Sequence, residues 1–393
     1  MPQTTFRHQD YRPERPTSPH YLVRAPASPP VAGPEFRLRM KEVAEVYRQA
    51  GVAAIYLVHG TFVGPDAAGM LAELGRVFPT AGRAIRRLVA RVMHKLTGEV
   101  GNFTPQYAEL FESALRGSGD PSEQDDTASA IPVRLFQWSS ENNHIGRADG
   151  AVRLIDELAS LELPPGSRVL LWGHSHAGNL FALMTHLLAG NREAAREFFR
   201  ATEVYFRWPL LQCVDIPVWH RVRRLLCNGG LQRLANLSLD IATFGTPIRY
   251  GWNADGYSQL LHFIYHRPAP GLPHYRAAFP PKLQDMLRGA EGDYVQQLGI
   301  AGTDISPSLF AWRAWLANRR LGRLFLDQSP YGGPLERFKA GAIVPDEGTT
   351  LLVDYGIPQG GIARHHAGHA LYTYHKWLLF HAEEVAKRFY SAD

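Results

Sequence analysis

The chain has 393 residues, of which 45% are hydrophobic and 11% aromatic, enough to bury a large core in one big domain or in two to three smaller ones. Its formal charge of +5 comes from interspersed acidic and basic residues, which indicates a mildly basic surface and gives no sign of a nucleic-acid partner. Only two cysteines, Cys213 and Cys227, are present, which excludes a disulfide framework and is typical of a reduced compartment.

The amino-terminal segment, residues 1–34, is rich in Pro, Arg and Ser. This composition predicts an extended or partly disordered arm that forms no regular core element. The segment contains no apolar signal-like region, and no run of about 18 apolar residues occurs in the chain. We therefore expect a cytoplasmic protein without a signal peptide or transmembrane helix, and export without a signal sequence stays open.

The first strong strand signal is the apolar run 52–58, which follows a short predicted helix around 40–50. The strand ends in a His-Gly-Thr motif at 59–61. Residues 66–116 have a helical pattern, and the stretch 83–96 is basic and amphipathic. That pattern favours a solvated helix packed on a sheet, with contact to a lipid surface as the alternative.

A third strand is predicted at 131–138, followed by a helix from about 147 to 161. Polar residues directly after a strand of a parallel sheet face its ligand-binding edge. Glu141 and His144 occupy such positions. Loop polarity is nevertheless the better explanation for both of them.

The stretch around Ser175 has the strongest chemical character in the chain. The apolar strand 168–172 runs into Gly-His-Ser-His-Ala-Gly at 173–178 and then directly into an apolar helical pattern. Small residues on both sides of a serine let a strand and a helix approach closely. The hydroxyl then projects at the helix N-terminus, where backbone N–H groups stabilise an anion.

The second half of the chain alternates insertions with strands. An aromatic and amphipathic insertion at 192–236 precedes the strand 237–247, which ends in Thr-Phe-Gly-Thr-Pro. A further strand is predicted at 259–266, and an irregular and helical insertion follows at about 268–347. The last strand, the histidine-bearing loop and the closing helix are predicted at 349–355, 364–370 and 371–389.

Together these motifs resemble the α/β-hydrolase superfamily, in particular its serine lipases and esterases. The resemblance covers about residues 50–390 and includes the serine turn, the His-Gly loop, the Thr-Phe-Gly-Thr-Pro segment and a histidine near the end. It implies an α/β fold in residues 35–393, with a mostly parallel central sheet flanked by helices and a helical cap or lid insertion. One departure is Ala177, which stands where the G-x-S-x-G motif has glycine, with Gly178 one step later.

The resemblance also implies roles for particular residues. Ser175 would be the nucleophile, and the backbone N–H groups of Thr61 and His176 would form the oxyanion hole. A serine hydroxyl needs a histidine base, which in this superfamily lies on the loop after the last strand. His369 is the first choice, with His366 and then His365 in reserve. The rival interpretation of these three histidines is a metal site, which lacks an accompanying carboxylate or cysteine, so no metal is expected.

The acid that orients the histidine is the least defined member. The predicted strand 259–266 ends in His-Arg-Pro, where some lipases carry Asp. Asp293 is the first choice, because Gly-Asp-x-Val at 292–295 resembles the turn that presents the acid in several lipase groups.

Three other carboxylates remain open as this acid. Asp304 would follow a possible strand at 294–301, Asp354 ends the last predicted strand but sits on an unusual strand for a triad acid, and Asp255 is a further candidate. Each of the candidate acids is equally compatible with a turn-former or a surface carboxylate.

The function that these features predict is hydrolysis of a carboxylic ester, with an apolar acyl group suggested by the aromatic insertion. The expected partner is a small-molecule or lipid ester, and no cofactor is implied. A non-catalytic hydrolase-fold binding or scaffold module is the alternative from a different class. Amidase, thioesterase and phospholipase variants also stay open, because the serine turn does not encode the leaving group.

Overall fold

The computed structural model describes residues 6–8, 15–61, 101–116, 130–207, 215–228, 234, 236–302, 304–307, 311–325 and 333–391. The predicted basic amphipathic stretch 83–96 lies outside the described residues. Over the part of the chain that is described, no helix has the length and apolar character needed to cross a bilayer.

Seven strands form one sheet in which every neighbouring pair is parallel. Their order across the sheet is β1-β7-β6-β5-β4-β2-β3. The strands are β1 His20–Arg24, β2 Val52–Val58, β3 Val133–Phe136, β4 Arg168–His174, β5 Ser238–Phe244, β6 Gln259–Tyr265 and β7 Thr349–Asp354. The α/β class with a parallel central sheet flanked by helices is therefore confirmed.

Helices connect the strands and cover the sheet. Numbered along the described chain, they are α1 Pro34–Gln49, α2 Pro105–Arg116, α3 His144–Ala159, α4 Ala177–Leu188, α5 Arg192–Phe206, α6 Pro217–Cys227, α7 Leu283–Arg288, α8 Tyr294–Ala301, α9 Trp312–Phe325, α10 Pro334–Lys339, α11 Ile362–His365 and α12 Leu378–Phe389.

Both faces of the sheet are buried. One core is formed with helices α3, α4, α5, α6 and α9, and the other with α1, α2 and α12. Neighbouring residues of one strand go to opposite cores: Tyr56 and Val58 face the first, and Ile55 and Leu57 the second. Side chains alternate in this way along any strand, so strands covered on both sides are apolar throughout. The long apolar runs in the sequence are explained by this double burial.

The strand order reverses next to β2. The chain passes from β2 outward to β3, then crosses back to β4 and continues through β5, β6 and β7 in the other direction. In open parallel sheets the loops that leave such a reversal point diverge and form a crevice at the carboxyl ends of the strands. Here that position lies between the ends of β2 and β4, where the His-Gly-Thr motif and Ser175 follow.

The amino-terminal segment is more ordered than its composition predicts. Strand β1 lies within it and pairs with β7 at the edge of the sheet, so the expectation that residues 1–34 form no regular core element is wrong for His20–Arg24. Phe6 is fully buried, with its ring 5.0 Å from that of His186 and 5.2 Å from that of Phe325. His8 Nδ1 lies 2.8 Å from Asp346 Oδ2. Contacts with distant parts of the fold supply the stabilisation that local composition lacks.

One prediction in the insertions is wrong, and the structure describes the packing of another. Residues 294–301 form helix α8, not a strand. The described aromatic side chains of the core cluster in the 192–236 insertion are buried beside α3. The Trp219 ring stacks on Phe206, and its indole N–H donates to Asp149 Oδ1 over 2.7 Å. This packing agrees with the second interpretation of the insertion, in which its helices are buried against the rest of the fold.

Replacement of Phe6 tests the docking of the amino-terminal segment. We expect Phe6→Ala to lower the free energy of unfolding by about 3 kcal/mol, because it leaves a cavity in the core. Leu38→Ala is the control, since Leu38 is 61% exposed and its loss should change stability by less than about 0.5 kcal/mol. Urea unfolding of the two variants measures the difference, and equal stabilities would show that Phe6 is not docked.

Candidate active site

Ser175 lies on the sharp turn between β4 and α4. Its φ is 56°, in the left-handed region that residues with a side chain seldom adopt. The turn is short because β4 ends at His174 and α4 begins at Ala177. Ser175 is 6% exposed and sits at the helix N-terminus, where the first N–H groups have no partner inside the helix.

Glycines allow the close approaches that this turn requires. A Cβ atom on Gly173 would lie 2.4 Å from the Phe181 ring, and one on Gly178 would lie 2.2 Å from Thr246 Oγ1. Any side chain at these positions would collide with its neighbour. Ala177, which departs from the motif, is itself completely buried in the core. The close contact with the β5 side is thus made at Gly178.

The Thr-Phe-Gly-Thr-Pro segment after β5 holds the turn in place. The Ser175 N–H donates to the Phe244 carbonyl oxygen over 2.8 Å, and the Thr246 hydroxyl donates to the Ser175 carbonyl oxygen over 2.8 Å. Asn179 Nδ2 donates to the Pro247 carbonyl oxygen over 3.0 Å. Both backbone groups of Ser175, its N–H and its carbonyl oxygen, are therefore bonded to the segment at the end of β5.

The loop after β2 lies directly against Ser175. A Cβ atom on Gly60 would be 2.7 Å from the Ser175 Cβ and 3.3 Å from its Oγ. The Trp138 indole N–H donates to the His59 carbonyl oxygen over 2.8 Å, which fixes the start of this loop. The structure therefore brings the segment with Thr61 beside Ser175, and His176 follows Ser175 as the cap residue of α4.

His369 and Asp293 are in contact. His369 Nδ1 lies 2.7 Å from Asp293 Oδ2, although 76 positions separate the two residues. Asp293 is fully buried and also accepts the Gln296 N–H through Oδ1 over 2.8 Å, so it caps helix α8. The Tyr372 hydroxyl donates to the same Oδ2 over 3.0 Å. The carboxylate is thereby held in one orientation towards the imidazole.

His174 joins His369 to the nucleophile strand. Its Nε2 lies 3.0 Å from the His369 carbonyl oxygen, and the two rings are 4.5 Å apart. Burial, with the neighbouring histidines, holds the pKa of His174 well below its usual value. A neutral imidazole can donate one hydrogen bond to a carbonyl, so His174 fixes the backbone of His369 without adding a charge.

The other candidate acids lie elsewhere. Asp304 binds Arg147 Nη2 over 2.8 Å. Asp354 lies 3.0 Å from Arg267 Nε and accepts the Gly356 N–H. Asp255 is exposed in the turn that leads into β6, at the amino-terminal edge of the sheet and therefore opposite the serine turn. Among the four carboxylates proposed from sequence, Asp293 is the one in contact with His369.

The reserve histidines have other environments. His365 is fully buried, and its Nδ1 accepts the Gly368 N–H over 3.3 Å. The backbone of His366 has a φ of 46° at the end of helix α11. Among the described residues, the one group of three or more His, Cys, Asp or Glu side chains close enough to hold a metal ion comprises His8, Asp346 and Glu347, and it includes none of the three loop histidines.

No protein-family model, curated protein or solved structure matches the chain. The interpretation of the site therefore depends on the sequence motifs and on the geometry described above.

Three neighbours of the site were not found from sequence: Thr246 as a partner of the Ser175 carbonyl, His174 and Tyr372. Thr246 belongs to the Thr-Phe-Gly-Thr-Pro motif, so the sequence pointed to this segment but not to the hydrogen bond with the Ser175 carbonyl. Tyr372 lies three residues after His369, a spacing that gives no signal on its own. Each of these contacts joins residues that lie far apart in the sequence.

Gly245 offers a stability test of the site geometry. Its φ is 60°, and a Cβ atom there would lie 2.6 Å from Asp293 Oδ2. We expect Gly245→Ala to cost about 1 kcal/mol for the left-handed backbone and about 2 kcal/mol more for the clash. Gly190→Ala is the matched control, because Gly190 has a φ of 77° and open space around its Cβ position. Equal losses in urea unfolding would contradict the close approach of Gly245 to Asp293.

Proposed function

We propose that the protein is a serine hydrolase that cleaves carboxylic esters, with Ser175, His369 and Asp293 as its triad. The observation that carries the proposal is the 2.7 Å contact between buried Asp293 and His369 Nδ1. His369 is joined through its carbonyl oxygen to His174, the residue before the serine on the strained strand-to-helix turn. A serine alone is a poor nucleophile, and a histidine oriented by a carboxylate is the device that activates it.

In this mechanism His369 works through Nε2, because its Nδ1 faces Asp293. Nε2 accepts the proton as Ser175 Oγ attacks the acyl carbon, and the Thr61 and His176 amides bind the oxyanion. The C–O bond to the alcohol then breaks, and the alcohol leaves with that proton.

The acyl-enzyme is cleared by the same groups. His369 removes a proton from water, the resulting hydroxide attacks the acyl carbon, and the C–O bond to Ser175 breaks. The carboxylic acid is released and Ser175 regains its proton from His369. No cofactor enters these steps.

The proposed preference for an apolar acyl group has less support than the proposed ester hydrolysis itself. It was inferred from the aromatic insertion, whose described rings are buried beside α3. A chain-length series of p-nitrophenyl esters measures the preference directly. Amide, thioester and phospholipid substrates use the same acyl-transfer chemistry and remain variants of the proposal. A missing acid would favour a non-catalytic role, and the contact of Asp293 with His369 supports the catalytic proposal instead.

Covalent labelling tests the nucleophile. A fluorophosphonate probe should modify Ser175 in the folded protein and inhibit ester hydrolysis in proportion, because the probe reacts with activated serines. Ser175→Ala should show neither labelling nor turnover. Intact protein without a label at Ser175, as measured by peptide mass spectrometry, would refute the proposal and favour the binding module.

The acid is tested by an isosteric replacement. Asp293→Asn retains an oxygen that can cap α8 but removes the negative charge beside His369, so we expect kcat to fall about a thousandfold or more with little change in KM. Asp354→Asn is the control and should keep near-normal kcat, since Asp354 pairs with Arg267. Steady-state kinetics on p-nitrophenyl butyrate decide between them. Equal activities in the two variants would exclude Asp293 as the triad acid.

A further inference from the structure

A second cluster of charged side chains is buried near the serine turn. Arg147, from helix α3, is completely buried and binds Asp304 Oδ1 over 2.8 Å. Arg249, five residues after β5, also binds Asp304, through its other carboxylate oxygen. The Tyr250 hydroxyl accepts a hydrogen bond from Arg147 Nη1 over 2.7 Å. Asp304 therefore bridges two arginines that come from different parts of the chain.

The cluster carries more positive than negative charge. Both arginines are cationic, and Asp304 is anionic because the two guanidinium groups, with His144, hold its pKa well below the usual range against its burial. Burial lowers the pKa of His144 to about 4, so that ring is neutral at pH 7. Among the described residues no other carboxylate pairs with either arginine, and one buried positive charge is left without a counter-ion.

Such a charge is unfavourable without a partner. Taking a cation out of water is costly unless an anion or hydrogen-bond acceptors replace the lost solvent. Burial accordingly lowers the pKa of the Arg249 guanidinium. The Nε atoms of both Arg147 and Arg249 are buried and lack a hydrogen-bond partner in the described structure. Arg147 Nη2 also donates to Asn142 Oδ1 over 2.7 Å, so the unmet donors are the two Nε groups. An oxyacid anion offers them acceptor oxygens and supplies the missing negative charge.

The cluster lies beside the proposed reaction centre. Arg249 is three residues after Thr246, whose hydroxyl binds the Ser175 carbonyl oxygen. Burial first, and then Arg147 and Arg249, lower the pKa of the His176 imidazole, so both charges act on the residue that follows Ser175. Of the three charged side chains, Asp304 is the most exposed, at 19%, against 0% for Arg147 and 3% for Arg249. The cluster is therefore closest to solvent at Asp304.

We propose that Arg147 and Arg249 form a subsite for an oxyacid anion on the substrate, so that the preferred esters carry a carboxylate or phosphate group away from the scissile bond. This inference rests on the proposed ester hydrolysis and adds the class of substrate to it. The guanidinium groups bind the anionic group, and the ester carbonyl is presented to Ser175. Binding of a remote charged group in this way lowers the barrier by fixing the orientation of the reacting carbon.

Two esters of similar length test the subsite in the wild-type protein. 4-Nitrophenyl hydrogen adipate has a terminal carboxylate, and 4-nitrophenyl heptanoate ends in a methyl group. After subtraction of the rate without protein, kcat/KM should be about tenfold or more higher for the adipate. Inorganic phosphate should inhibit adipate hydrolysis more strongly than heptanoate hydrolysis, and acetate at equal concentration shows whether a carboxylate binds better.

Variants of Arg249 test whether this residue causes the preference for the adipate ester. Arg249→Met should abolish the adipate preference, and Arg249→Lys should retain part of it. Arg221→Met removes the same charge from an exposed pair with Asp156 and should leave the ratio unchanged. If Arg249→Met lowers both rates equally, or if the wild type has no adipate preference, the subsite is refuted while ester hydrolysis stands.

An activity-independent measurement separates the two proposals. Inorganic phosphate should raise the Tm of the wild type and of Arg221→Met, but not that of Arg249→Met. If neither ester is hydrolysed and Ser175 is not labelled, the proposed function fails, and the phosphate response alone then decides whether the arginines bind an anion. An equal response in all three proteins would overturn the subsite.

Discussion

The backbone of Ser175 is held in a left-handed conformation, and much of the surrounding structure serves to maintain it. A non-glycine residue in this region costs of order 1 kcal/mol or more, so it persists only where neighbouring groups fix it. Phe244 and Thr246 bind its two backbone groups, and Gly60 leaves space for its side chain. The parallel sheet supplies the rigid frame for all three, because β2, β4 and β5 are adjacent.

The sequence allowed the serine turn to be located because its determinants are local. Strand, small residues and helix follow each other within a few positions around Ser175. Asp293 could only be ranked first among several acids, since its contact with His369 spans 76 positions and depends on how α8 is placed after β6. The arginine cluster was missed for the same reason. Its charges come from α3, the segment after β5 and the loop after α8, and no single stretch contains its pattern.

The errors in the fold share a physical origin. The amino-terminal segment was predicted to be irregular from its Pro and Arg content, yet β1 forms because an open edge of β7 is available to it. Residues 294–301 have a short apolar pattern that is compatible with a strand or a helix. The N-cap hydrogen bond from the Gln296 N–H to Asp293 stabilises the helix. The aromatic insertion was equally compatible with a lid or a core. In each case tertiary contacts decided between alternatives of similar local propensity.

Strand β1 has a consequence for how the molecule assembles. Among the described strands, β1 comes first in the chain and its partner β7 comes last, so β1 cannot pair with β7 until most of the sheet has been synthesised. Until then its backbone N–H and C=O groups stay unpaired, while β4, β5 and β6 can already join in succession. Contacts between such distant segments slow folding. A nascent chain would thus complete its serine turn before its sheet, with the outer edge closing as a final step.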